Sequence, residues 1–141
     1  MGEVMAGILS SLTAGFPILI AHFLLTIGLL VLAVMVYIRI TAHDELQLVR
    51  DGNNAAALSL AGAILGLAIP LASCLAASVS LLDILVWGVI TLLLQLLVFW
   101  AMDRTVRNLS RRIEEGEIGP AILLVAVKLS VAAVSAAAVS G

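Results

Sequence analysis

Most of the chain consists of long apolar runs, parted by two charged segments and one tight connection at Ser80–Asp83. The runs cover residues 14–38, 55–82, 84–102 and 118–139. A membrane-spanning helix needs about 20 predominantly apolar residues, and all four windows are near or above that length. Barrel strands would be shorter and would alternate apolar with polar positions; no such alternation occurs. The pattern predicts an all-α polytopic membrane protein with four transmembrane helices, forming a single membrane domain over residues 1–141. Composition agrees. Of the residues, 63% are hydrophobic and 11% charged, against about 25% charged in an ordinary soluble domain. A mean hydropathy of +1.25 would coat a soluble protein of this size in apolar surface.

The N-terminus reads MGEVMAGILSS. It lacks the basic residues that open a cleavable signal, and Ala6 stands where a myristoylation site has Ser or Thr. The lone cysteine, Cys74, falls inside the second run and is expected to pack as a small hydrophobe.

Charge sets the expected orientation. Six of the seven Lys and Arg residues lie in two segments, Arg39 and Arg50 in 39–53, and Arg104, Arg107, Arg111 and Arg112 around 103–117. The positive-inside rule assigns both segments to the cytoplasm and both termini to the outside. Trp87 and Trp100 stand about 20 Å apart at helical rise, which suits aromatic anchors at the two interfaces. Tyr37 is expected to serve in the same way at the cytoplasmic end of the first helix.

Shifting the chain by 64 residues superposes "LVRDGNNAAALSLAGAILG" on "RIEEGEIGPAILLVAVKLS". Asp51 then meets Glu115 and Gly52 meets Gly116. The alignment predicts two parallel-oriented two-helix repeats, roughly 14–77 and 78–141, related by a pseudo-twofold axis along the membrane normal. Each has a charged segment, a glycine elbow and a returning helix. Asp or Glu before Gly marks a sharp turn, Asn53 and Asn54 are expected caps, and Pro120 fits the first turn of a helix. Ahead of the second elbow, Val106, Leu109 and Ile113 share one helical face, with Arg107, Arg111 and Arg112 largely on the others. This predicts a short amphipathic helix at the headgroups, its arginines on anionic lipid.

The second run carries a packing motif. Gly62 and Gly66 form G-x-x-x-G, and Ser59, Gly66 and Ser73 recur every seven residues. Small residues let helices approach closely in lipid. The seam is expected to pack helices within the chain, with homo-oligomerisation as the other use of such a motif. Pro70 is expected to kink this helix, and Ala126, Ser130, Ala133 and Ala137 form a weaker seam on the fourth.

The residues Tyr37, Thr41, Asp44, Glu45 and Leu46, then "RDGNNAAALSLAGAILGLAIPLAS", then "RRIEEGEIGPAILLVAVKL" resemble the bacterial domain of unknown function 350 family, the YjfL-type small inner-membrane proteins. The Gly-Asn-x-Ala-Ala element, here Gly52, Asn53, Ala55 and Ala56, is the most specific part. Glu117 departs from the pattern, standing where the family often has Asn. The resemblance implies an internally duplicated four-helix protein of the inner membrane. It further implies an envelope-stress setting beside phage-shock-type membrane-coat proteins, and supplies no reaction, substrate or catalytic residue.

Candidate chemistry is sparse. There is no phosphate loop, zinc spacing or nucleophile elbow, and nothing calls for a cofactor, a metal or nucleic acid. His43, Asp44 and Glu45 adjoin but diverge on a helix, and read as a solvated polar turn. The spans hold three notable polar residues, His22, Gln95 and Lys128. Lys128 lies ten residues past Ile118, about 15 Å at helical rise and so near mid-membrane. No Asp or Glu falls within a span window at that depth. Lys128 and Gln95 are therefore expected to border a hydrated cavity, and Lys128→Met to spare folding while removing function. Two functions fit. One is a non-enzymatic scaffold of the envelope-stress system, engaging lipid or a coat protein through basic loops. The other is a small ion channel or transporter.

Overall fold

The computed structural model describes residues 1–41, 44–78, 80–106 and 108–141, with the side chains of Phe99 and Asp103 outside the description. His43 and Arg107, both named above, fall outside the described residues. The chain forms α1 (Gly2–Ile40), α2 (Glu45–Arg50), α3 (Asn54–Ala77), α4 (Leu81–Thr105), α5 (Leu109–Glu114) and α6 (Ile118–Ser140). Helices α1, α3, α4 and α6 are long and apolar enough to cross a membrane. They match the four expected spans, except that α3 ends at Ala77, short of the second window, and Leu81 and Leu82 open α4 instead. In lipid a helix satisfies its own backbone groups, which is why these apolar runs fold this way.

Helix α3 is the hub. It packs most extensively on α6 and also touches α1, α4 and α2. The small residues of its seam explain this: Ser59, Gly62 and Gly66 are buried, as is Pro70, while Ser73 is half-buried. A Cβ on Gly62 would lie 2.5 Å from Val125 Cγ2 of α6, so this glycine is what admits the close crossing. The seam works within the chain. The weaker seam does not pack inward: Ala126, Ser130, Ala133 and Ala137 are all exposed, and α6 instead buries Pro120, Ala121, Leu124, Lys128 and Ala132. Leu124 and Lys128, four residues apart, fill the space facing α3 that the alanine stripe is too small to fill.

Pro70 sits inside α3, which continues to Ala77; its ring removes the donor for the Gly66 carbonyl. Ser80 caps α4, its Oγ accepting from the Asp83 N–H at 3.2 Å. Helix α1 is longer than expected, about 58 Å at helical rise. Its early residues, Val4, Met5, Ile8, Leu9, Leu12 and Phe16 among them, are exposed. Its buried residues, Thr26, Ala33 and Tyr37, lie in its second half.

Both elbows close in the same way. Gly52 and Gly116 adopt φ of 85° and 84°, a left-handed conformation that glycine takes without steric penalty. The Gly52 N–H donates to Val49 and the Asn53 N–H to Leu48; Gly116 donates to Ile113 and Glu117 to Arg112. These are paired Schellman bonds, offset by 64 residues. The elbows meet through Asn53, whose Nδ2 donates to the carbonyls of Ile113 (3.0 Å) and Glu114 (3.1 Å). Its Oδ1 accepts from the Ala56 N–H at 2.9 Å and caps α3. Glu117, at the matching place, makes no side-chain cap and pairs with Arg112 at 2.7 Å.

The short helices are not laid against headgroups by their apolar faces, contrary to the sequence expectation. Leu109 and Ile113 are fully buried and join Tyr37, Ala55, Ala56, Ala63, Ala121 and Leu124 in the core.

Candidate functional site

The polar core lies between the helices, towards the elbow end. Tyr37 enters from the last turn of α1, Glu45 from the first residue of α2, Ser59 from α3, Gln95 from mid-α4 and Lys128 from mid-α6. All five side chains are buried: Glu45 and Ser59 expose 0%, Tyr37 and Lys128 2%, and Gln95 4%. The Tyr37 hydroxyl donates to Glu45 Oε1 at 2.9 Å, and the Ser59 hydroxyl donates to the same oxygen at 2.8 Å. Lys128 Nζ stands 4.0 Å from the centre of the Tyr37 ring, close enough for a cation–π contact. It also interacts with the Glu45 charge. Gln95 has no hydrogen-bond partner for either amide atom among the described residues.

Local structure explains the convergence. In an α-helix the Cα–Cβ bond tilts towards the N-terminus, which for α6 is the elbow end. Lys128 therefore carries its ammonium away from mid-membrane, towards Ser59, which lies about 8 Å into α3. Gly66 makes room on the other side. A Cβ there would meet Gln95 Oε1 at 3.5 Å and Lys128 Cβ at 3.6 Å. Thr41 closes the end of α1, its Oγ1 donating to the Tyr37 carbonyl at 2.7 Å. Together Tyr37, Ala63, Leu67, Gln95, Leu96 and Lys128 line a crevice with no room for a water-sized sphere. The hydrated cavity expected at Lys128 and Gln95 is closed in this conformation.

Three sequence expectations change here. Tyr37 is not an interfacial anchor, because its hydroxyl is drawn inward by a carboxylate. Glu45 is not a solvated turn residue; it opens a helix whose buried side faces the bundle, while neighbouring Asp44 stays exposed and caps that helix through the Gln47 N–H at 3.1 Å. And a carboxylate does reach Lys128, from an elbow rather than a span. One signal in the sequence pointed to this. Under the 64-residue shift Glu45 falls on Leu109, a position on the apolar face of the second short helix, so a buried position was legible there.

The remaining candidates stand apart. His22 lies fifteen residues before Tyr37 on α1, about 22 Å along the helix. Its Nδ1 bonds the Ile18 carbonyl at 2.8 Å, and it borders a groove with Phe23, Leu75 and Ser78. On the elbow face Arg104 stacks over Trp100, 4.9 Å from the ring centre. Arg111 pairs with Glu115 at 2.8 Å and Arg112 with Glu117, so much of their charge is matched within the chain. Asp51 accepts from Gln47 Nε2 at 3.1 Å beside the first elbow. No three His, Cys, Asp or Glu side chains gather as a metal site among the described residues. Cys74 is buried, as a small hydrophobe would be.

No solved structure matches the chain at a significant level. Among curated proteins it is 38% identical over 93 residues to "UPF0719 inner membrane protein YjfL" of Escherichia coli strain K12, covering 66% of this chain and 70% of that one. The protein of the same name from Escherichia coli O157:H7 matches equally. The family model described as Domain of Unknown Function (DUF350) matches residues 11–139, which take in all four apolar helices, both elbows and every residue of the polar core. This integral membrane protein belongs to that family.

Proposed function

We propose that the chain is a non-catalytic channel or carrier for a small ion in the bacterial inner membrane, with the polar core as its control point and the conformation described here closed. One observation carries the reading: a lysine and a glutamate, both fully buried, share one core, Lys128 over the Tyr37 ring and Glu45 on the Tyr37 hydroxyl, among helices long enough to span the membrane. Intramembrane ionisable groups are functional by default. Stability alone is a poor account of them, since replacing a buried ion pair by apolar residues is often neutral or stabilising. The amide of Gln95 adds weight, because an unsatisfied buried polar group costs about 1–3 kcal/mol and Leu would avoid it.

The test is ion flux into liposomes containing the purified protein. Wild type is expected to pass an ion that protein-free liposomes retain. The charge-free core of Glu45→Leu/Lys128→Met is expected to fold and pass none, and Lys128→Arg to retain part of the flux. Absence of flux under potassium, sodium, chloride and proton gradients alike would reject the reading.

A second reading has its own support. Arg104, stacked over Trp100, and Arg111 are exposed on the elbow face, an arrangement suited to anionic lipid or a membrane-coat protein of the envelope-stress response. If this scaffold role is the function, Arg104→Ala/Arg111→Ala removes the stress phenotype while the neutral-core variant keeps it.

A further inference from the structure

We propose that the polar core is a binding site for a small monovalent anion, of the size of chloride or formate, which the chain's own Glu45 occupies as a tethered substitute. The inference rests on the transport reading above and names the ligand class.

Three features support it. First, the spanning helices bring hydrogen-bond donors to one place. The Tyr37 and Ser59 hydroxyls both donate to a single oxygen of Glu45. The Lys128 ammonium stands over the Tyr37 ring in the same core. Gln95, lining the same crevice, holds an amide N–H with no partner among the described residues. Without Glu45 this set offers an amine, two hydroxyls and an amide N–H with no carboxylate among them, which is the chemistry of an anion site.

Second, the carboxylate does not belong to the spanning helices that form the rest of the site. It rides on α2, six residues long, which ends at the Gly52 elbow. The backbone does not require a carboxylate there. Leu109 begins α5 at the matching place, is equally buried, and is followed by the same elbow bonds. An apolar side chain serves the fold at that position, so Glu45 answers to the donors around it.

Third, the donors are already taken. The Tyr37 and Ser59 hydroxyls have one proton each and both give it to Glu45 Oε1, so an external anion and the Glu45 carboxylate exclude one another there. The anion enters only when α2 withdraws its side chain, and Lys128 exchanges one negative partner for another without being left uncompensated.

The experiment follows thermal unfolding of the purified protein in detergent, in sodium gluconate, sodium chloride and sodium formate at equal ionic strength. Wild type is expected to melt at the same temperature in all three, because its site is filled. Glu45→Ala is expected to melt lower in gluconate and to be raised by chloride and by formate, rising with the logarithm of concentration once the site saturates. Glu45→Ala/Lys128→Met is expected to show no such response. An equal midpoint for Glu45→Ala in the three salts, or an equal response in the double variant, overturns the proposal. If Glu45→Ala does not fold in gluconate, Glu45→Gln replaces it. If neither folds in gluconate, recovery in chloride or formate supports the site, and failure in all three salts overturns it. Liposome flux separates this from the broader reading. An anion response without flux rejects transport and keeps the site, whereas cation flux without an anion response rejects the site alone.

Discussion

Lys128 is tolerated in the membrane because its stem runs towards the elbow end and its amine stands over the Tyr37 ring, whose hydroxyl holds the Glu45 carboxylate. That changes what its removal should do. Lys128→Met alone would leave Glu45 buried without its cation, and breaking a buried pair in this way costs about 3–5 kcal/mol. Glu45→Leu/Lys128→Met, which copies the apolar residue found at Leu109, should recover most of that loss. Unfolding midpoints of the two variants in one detergent check it; equal losses would mean that the pair does not couple. Glycine at the α3–α6 crossing gives a sharper contrast than larger substitutions. A Cβ at position 62 meets Val125 Cγ2 at 2.5 Å, but at position 66 the nearest atom is 3.5 Å away. Gly62→Ala should therefore destabilise by about 1–3 kcal/mol through overpacking, and Gly66→Ala by clearly less.

The elbows act as elements rather than as residues, and Asn53 shows why. It caps α3 and at the same time binds two carbonyls at the end of α5. Loss of an N-cap costs about 0.5–2 kcal/mol, and Asn53→Ala also leaves those carbonyls short of donors. Glu117→Ala removes only a half-exposed ion pair with Arg112, and such pairs contribute little. Asn53→Ala should thus lower the melting temperature well beyond Glu117→Ala, and hydrogen exchange should quicken at both elbows. Exchange confined to α3 would show that the elbows are not tied. The start of α1 is the opposite case. Its first twenty residues are all exposed, so deleting residues 2–12 should leave the melting temperature of the bundle unchanged.

At the scale of the molecule, four crossings and the contact between the elbows put α2 and α5 on one face and the two termini on the other. The arginines predict that the elbow face meets the cytoplasm. Cysteines at Glu114 and at Gly141, each introduced alone with Cys74 replaced, test it in intact cells. A membrane-impermeant thiol reagent applied outside should label the Gly141 position and spare Glu114. The reverse pattern would invert the protein.

Hydropathy by itself determined the class, the four spans and, through glycines at 52 and 116, where the chain turns. These are local consequences: a bilayer demands about 20 apolar residues in one helix, and a left-handed turn demands glycine. The interior of α3 was legible for a similar reason, since only small residues allow helices to approach closely in lipid. The polar core was half legible. Lys128 and Gln95 were conspicuous as polar residues in apolar runs, and the bundle brings them together over Gly66. Their partners were not, because Tyr37 and Glu45 lie at the edge of a span and in a charged segment, where water is the default neighbour. Only the tertiary structure decided that α2 folds back against α3, so that Glu45 is dry while Asp44 beside it is wet. It also decided that α6 turns Lys128 inward and its alanine stripe outward. The physical reason is the same in both cases. Burial of a charge depends on donors and a counter-charge arriving from other helices, and no property of a local segment records which helices those will be.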